Sequence, residues 1–461
     1  MYAKAMNMNN ITFTGMKSKK DIVAAVDIGT TKIVTAVARR NENNRIEILA
    51  ISRADSKGVR RGVVRNIEET VASIQSTVDL VKKQSGIDFS EVYVGVAGEY
   101  IRSIRNRSYL NRDSWEEEIT EEEIRRLLDD SFRVPVDAME KVIHVLPQDF
   151  VVDNEPGIIN PVGMTGKRLE GNFHIVIGKI DSLKTVERCL SHLNLKVKSF
   201  ILEPIASAEA VLTEDEKEAG VALIDIGGGT SDLAIYYDGI IRHTAVIPFG
   251  GNVITTDIKE GCGILLRQAE MLKIKYGSAL GDLEDENKVA TIPGISGREP
   301  REVSFRTLAY IIQARMEEII DRILFQIETS GYADKLAAGI VITGGGALLR
   351  NLPHLIKFRT GMDVRLGYPS EHLAGNLTQE ANHPMYSTCL GLVMLGCEDQ
   401  AKKKPDAEEP VAEKIPVAEE AVSQSVNEPE PPKAPAQQGK TLFKNLQELL
   451  SNLFTVNDSN M

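Results

Sequence analysis

No stretch of about 18 consecutive apolar residues occurs in the 461-residue chain, which argues against a membrane-spanning helix. The opening MYAKAMNMNNITFTGMKSKK lacks the apolar centre of a secretory signal. Cysteine is scarce. Cys189, Cys262, Cys389 and Cys397 stand far apart with no C-x-x-C pair, which excludes a cysteine zinc site and a disulfide framework and favours a reducing cytosol. Positive charge is not in excess either: the net charge of -12 offers no global attraction to nucleic acid, so no nucleic-acid partner is expected. What the chain does have is 42% hydrophobic and 26% charged residues, the balance of a soluble globular protein rather than a disordered one. Its length predicts two to four domains at roughly 100–200 residues each.

Composition changes in two places. Near Asp21 a strand-like IVAAV run opens, and residues 1–20 before it read as a disordered tail. From Cys397 to Lys440 the chain has seven of its 18 prolines, no aromatic residue, and ten acids against six bases. Such a segment buries too little apolar surface to offset its ordering entropy, so it reads as an acidic linker reaching about 35–40 Å. The fold is expected between Asp21 and Gly396. Within it, short apolar strands such as Phe173 to Val176 and Ala338 to Ile342 alternate with helical patterns at Ile67 to Lys83 and Thr307 to Ile327. That alternation predicts α/β architecture. The charged stretch after Glu116 reads as a solvated helix face.

One segment recurs. Val23-Ala24-x-x-Asp27-Ile28-Gly29-Thr30-Thr31 returns 198 positions later as Val221-Ala222-x-x-Asp225-Ile226-Gly227-Gly228-Gly229-Thr230. Each copy is an apolar strand, an aspartate, a glycine turn and a second strand-like run. A single copy is compatible with an ordinary hairpin. Two copies predict facing tips whose glycines let backbone N–H groups approach a polyphosphate, with Asp27 and Asp225 placed to meet a phosphate-bound Mg²⁺ through its waters.

These segments resemble the two phosphate loops of the actin, heat-shock-chaperone and sugar-kinase ATPases. By that resemblance Gly29, Thr30, Thr31, Lys32, Gly227, Gly228, Gly229 and Thr230 cradle the phosphates of ATP. Glu203, in Leu202-Glu203-Pro204, resembles the residue that orients an attacking water, with a helix-capping acid as its plain alternative. Gly344, Gly345 and Gly346, after the strand Ile340 to Thr343, resemble the adenosine motif at a helix start. Glu270 and Lys273, three apart on one helix face, resemble the pair that holds ribose and adenine, unless they are a surface ion pair. Met385 to Leu395 resembles the second connecting helix, where Ser387 and Gly391 allow close packing. At most slow ATP hydrolysis is expected.

Between the loops, Val142-Ile143-His144-Val145-Leu146-Pro147-Gln148 and Asn160-Pro161 through Leu169-Glu170 resemble the FtsA family, actin-like proteins that fasten the tubulin-like bacterial division ring to the membrane. The resemblance implies a two-lobed actin-like ATPase fold with an inserted small α/β domain. It places subdomain 1A at 21–100 plus 382–396, the inserted 1C at 101–199, 2A at 200–249 plus 335–381, and 2B at 250–334. It also implies filament formation, recruitment of other division proteins, and a septal position on the inner membrane. Arg301 matches a family position implicated at the surface, about 250–334, that receives a C-terminal peptide of the ring protein, and Arg298 and Arg306 are its neighbours in sequence; solvated surface charge is the alternative. His144 has no second His or Cys at metal-site spacing and reads as a structural histidine.

The last segment, 441–456, is amphipathic. Leu442, Phe443, Leu446, Leu449, Leu450, Leu453 and Phe454 form one apolar stripe opposite Lys444, Asn445, Gln447, Glu448 and Asn452. A helix about 20 Å long is too short to span a bilayer and suits the headgroup plane. Docking on its own domain and pairing with another helix are the alternatives. A small-molecule kinase on the same fold, a heat-shock chaperone and a pilus-assembly actin homologue are the competing functions. The first leaves the tail and the 161–170 motif without purpose, the second needs a substrate-binding domain that 44 linker residues and one helix do not supply, and the third ordinarily lacks the tail.

Overall fold

The computed structural model describes residues 22–41, 45–294, 299–369, 373–374 and 378–402. Ile22–Ile28 pairs antiparallel with Lys32–Arg40, and that strand with Ile46–Asp55. Glu91–Val96 and Lys196–Leu202 add on the other side in parallel, giving a six-stranded sheet completed by Leu373–Ala374 beyond Ile46–Asp55. The first strand is buried almost throughout because both faces are covered. Val23 and Ala25 join a core with Leu390 and Leu392, whereas Ala24, Val26 and Ile28 join one with Ile74, Val78 and Val81.

The second lobe repeats this plan. Val221–Ile226, Ser231–Tyr237 and Ile240–Ile247 form the antiparallel run, and Ile340–Thr343 and Val364–Leu366 extend it in parallel. The sequence repeat is therefore a repeat of whole sheets. Helices Gly251–Cys262, Leu266–Tyr276 and Phe305–Ser330 share the core of this lobe through Ile258, Leu272, Ile312 and Ile319.

The insertion has its own four-stranded sheet, ordered Ile101–Asn111, Arg168–Lys179, Glu140–Val152, Glu155–Ile158. Against it lies helix Glu121–Phe132, with Ile124, Leu127 and Leu128 buried and its acids outward. Glu123 is not merely solvated. It closes a capping box with Thr120 and accepts a 2.7 Å bond from Arg112 Nε.

Three boundaries differ from those expected. Residues 180–199 do not belong with the insertion: Cys189 and Leu190 of helix Ile180–Ser191 enter the first-lobe core, and Lys196–Leu202 is a strand of the first sheet. Leu373–Ala374 returns to the first sheet, inside a stretch assigned to the second lobe. The last helix among the described residues, Ser387–Lys402, runs past the Cys397 boundary because one of its faces is still apolar or paired. Cys397 and Asp399 are buried, and Tyr93 Oη donates to Asp399 Oδ2 at 2.6 Å. The rest of the expected linker and the whole terminal helix, with Leu442 to Phe454, lie outside the described residues.

Candidate functional site

The two repeated hairpins bring their tips together. A Cβ built on Gly228 would lie 2.8 Å from Thr31 Oγ1, and one on Gly229 would lie 2.9 Å from the Cβ of Thr30. Glycine is required at both positions for this approach. The tips are braced from behind: Gly62 N–H donates to Thr30 Oγ1 at 3.0 Å, and Gly251 and Asn252 N–H donate to the carbonyls of Gly227 and Gly228 at 2.9 and 2.8 Å. Gly29 permits the first turn itself, since a Cβ there would sit 2.8 Å from Lys32 O.

Behind the tips lie four carboxylates. Asp27 ends the first strand, is 2% exposed, and has Lys32 Nζ 3.8 Å from its Oδ2. Asp225 ends the corresponding strand of the second lobe. Asp232 stands opposite Asp225 in the hairpin register; its Oδ2 accepts from Thr230 Oγ1 at 3.2 Å, while its buried Oδ1 has no hydrogen-bond partner among the described residues. Glu203 is the first residue of helix Glu203–Val211, and its Cγ occupies the space that Gly95 leaves by having no side chain. Burial, then the negative charges of Asp27, Asp232 and Asp225, raise the Glu203 carboxyl well above the usual range. Burial first, then Asp225, does the same to Asp232. Burial also raises Asp27, with Lys32 opposing.

Such a cluster is short of positive charge, and a cation would relieve it. Among the described residues no three His, Cys, Asp or Glu side chains converge closely enough to hold a metal alone. A divalent ion here would complete its oxygen shell from phosphate and water. The orphaned Asp232 Oδ1 and the all-oxygen donor set fit Mg²⁺ held in that indirect way.

The three-glycine turn folds against the second hairpin. Gly344 has φ +85°, and a Cβ there would meet Ile226 O at 2.6 Å; one on Gly346 would meet the same oxygen at 2.9 Å. Gly345 faces open space, with nothing within 4 Å of a built Cβ. The chain does not enter a long helix directly, as expected from sequence. A single 3₁₀ turn, Gly346–Leu348, and Asn351 at φ 61° precede helix Leu352–Thr360. Glu270 and Lys273 share one face of their helix. Lys273 Nζ donates to Glu270 Oε2, Thr255 Oγ1 and Gly251 O at 2.7, 2.8 and 2.9 Å, so the pair is wired through Gly251 to the second tip rather than being free surface charge.

Arg301 Nη1 donates to Cys262 O at 2.9 Å, closing the last turn of helix Gly251–Cys262. Arg306 bonds Glu286 Oε2 at 2.7 Å and Glu284 O at 3.2 Å, and Arg298 lies outside the described residues. His144 accepts from Leu202 N–H at 3.0 Å, and burial draws its imidazole down to about 3, so it serves as a neutral acceptor inside the fold. Sequence reasoning passed over Asp232, Ser207 and Thr388. Ser207 Oγ and Thr388 Oγ1 donate to Asp225 Oδ2 at 2.6 and 3.1 Å.

A family model described as cell division protein FtsA matches residues 222–391, and the SHS2 domain inserted in FtsA matches residues 98–177. The cell division protein FtsA of Pseudomonas aeruginosa is 39% identical over 381 residues, covering 82% of this chain and 90% of that one. The chain belongs to the FtsA family. The FtsA of Escherichia coli K12 is 33% identical over 403 residues, covering 86% of this chain and 95% of that one. Among solved structures, a PilM–PilN type IV pilus biogenesis complex aligns at TM-score 0.60 and 15% identity, covering 81% of this chain and 98% of that one. MreB5 of Spiroplasma citri bound to ADP aligns at TM-score 0.51 and 15% identity, covering 82% and 97%. The fold is thus actin-like, with the FtsA-type insertion, and the chain is an actin-like cell-division protein. No helix among the described residues is long and apolar enough to cross a membrane.

Proposed function

We propose that this chain binds ATP with Mg²⁺ between its two hairpin tips, assembles into filaments, and tethers the tubulin-like division ring to the cytoplasmic membrane at the septum, where further division proteins join it. The observation that carries the reading is the apposition of Thr30 and Thr31 with Gly229 and Gly228 above the carboxylates of Asp27, Glu203, Asp225 and Asp232.

In this reading the amides and hydroxyls of the two tips bind phosphate oxygens, and Lys32 adds a positive charge beside them. Mg²⁺, when bound, neutralises phosphate charge. Asp27 and Asp225 orient the metal's waters. Gly345 presents bare backbone to the nucleoside, while Glu270 and Lys273 hold its sugar edge. Glu203, whose carboxyl is raised well above its usual range by burial and by the charges of Asp27, Asp232 and Asp225, orients the attacking water by hydrogen bonding. Hydrolysis is at most slow. Arg298, Arg301 and Arg306 receive an acidic–apolar peptide of the ring protein.

The apolar stripe from Leu442 to Phe454 binds lipid weakly as a single helix, and a filament with many copies binds firmly. The family relatives favour this division role over pilus assembly or a small-molecule kinase, both of which use the same fold. Co-sedimentation with lipid vesicles, with and without ATP, tests it. The intact chain pellets with vesicles, more so with ATP, and a chain stopped after Gly439 stays in solution. Equal pelleting of the two chains contradicts the tether.

A further inference from the structure

A carboxylate that steers a metal's water must have its plane fixed, and among the described residues Asp225 has no ion-pair partner to fix it. Its Oδ2 is instead held by hydroxyls from two different helices. Ser207 Oγ, on Glu203–Val211, donates at 2.6 Å, and Thr388 Oγ1, on Ser387–Lys402, donates at 3.1 Å. The two hydroxyl oxygens lie 3.1 Å apart. Two protons serve the three edges of this triangle, so the short Ser207 bond claims one and Thr388 supplies the other. All three side chains are buried. The other oxygen, Oδ1, points to the Gly344 turn, where a Cβ would displace it.

Both helices run between the lobes. Glu203–Val211 leads from the Lys196–Leu202 strand of the first sheet towards Val221–Ile226 of the second, and Ser387–Lys402 returns from the second lobe to pack under the first sheet. They touch at Gly391, where a Cβ would collide with the backbone of Ala206. Thr343 Oγ1 and Ser387 Oγ, 2.7 Å apart, tie the start of the returning helix to the strand beside Asp225.

We infer that Ser207 and Thr388 are positioning residues for the metal, fixing Asp225 so that Oδ1 alone faces the ion's hydration shell. The inference rests on the proposed Mg²⁺–nucleotide site. Neither residue touches nucleotide; both act through Asp225. Losing one hydrogen bond to a charged carboxylate frees it to turn, and the effect appears in metal affinity rather than in nucleotide affinity as such.

The test is a titration of Mg²⁺ into the full chain with a fluorescent ATP analogue, alongside a metal-free titration in EDTA. Thr388→Val, which keeps the shape of threonine, raises the Mg²⁺ concentration for half-saturation about five- to tenfold, and Ser207→Ala raises it at least as much. Metal-free affinity stays within about twofold of wild type, and Thr388→Ser restores the wild-type Mg²⁺ response. Unchanged Mg²⁺ dependence in both Thr388→Val and Ser207→Ala overturns the inference while leaving the nucleotide site in place. Equal losses with and without Mg²⁺ reduce both residues to packing and overturn it as well. A wild-type chain whose nucleotide binding ignores Mg²⁺ overturns the site reading itself.

Discussion

Asp225 and Asp232 stand directly opposite each other across the second hairpin, two buried carboxylates with no ion-pair partner among the described residues. The arrangement is unfavourable to the chain alone, because burial and the neighbouring charge of Asp225 disfavour ionisation of Asp232. It gives the nucleotide-free protein a pH dependence of definite sign. Asp232 and Glu203 bind their protons more tightly folded than unfolded. Their contribution to stability is therefore full at or below the ordinary carboxylate range and is lost as pH rises towards their raised folded values. Across that window each group costs about 1.4 kcal/mol per pH unit. Thermal melts of the nucleotide-free chain between pH 4.5 and 8 check this against Asp232→Asn and Glu203→Gln. Each substitution flattens the downward slope. A wild-type melting temperature that rises steadily through the window contradicts the clustering.

The contact of Thr31 with Gly228 leaves no room for a methyl group. Gly228→Ala props the tips apart and weakens ATP binding about tenfold or more, with the melting temperature moved by only a few degrees. Isothermal titration calorimetry reads the affinity. Wild-type affinity in Gly228→Ala shows that the tips do not close on the ligand.

The insertion is joined to the second lobe through His174, whose Nε2 lies 2.8 Å from Thr244 Oγ1, and through Arg105 Nη2, which donates to Ser330 O at 2.6 Å. Burial, with help from His243 and Arg105, draws His174 down to about 3. A depressed imidazole contributes stability above its ordinary value near 6.5 that is lost as pH falls below it. Hydrogen exchange at pH 5 against pH 7.5 opens the Ile101–Asn111 and Ile240–Ile247 strands first, and His174→Gln removes the pH dependence there. Exchange at this junction that is equal at both pH values excludes the mechanism.

The sequence repeat made the two hairpins and their aspartates legible, because an apolar strand followed by a glycine turn is a local pattern. Asp232 was within reach of the same reading: Ile226 pairs with Ser231, so the residue opposite Asp225 follows from counting. The limits of the insertion were not legible, since Lys196 finds its place only by pairing with Glu91, far away in the chain. Composition misplaced the end of the fold for a related reason. Proline and acid content rises near Cys397, but the buried partner of Asp399 is Tyr93, about 300 residues earlier. Nothing local marks Ser207 and Thr388, ordinary small residues on helices that become neighbours of Asp225 only when the lobes assemble.

The central claim is that Asp225 and the facing tips form one site for ATP and Mg²⁺. Equilibrium binding of Mg²⁺–ATP to the wild-type chain and to Asp225→Ala tests it most directly. Saturable wild-type binding that weakens about tenfold or more in Asp225→Ala, with the fold retained, is the expected result. Binding as tight in Asp225→Ala as in wild type would contradict it.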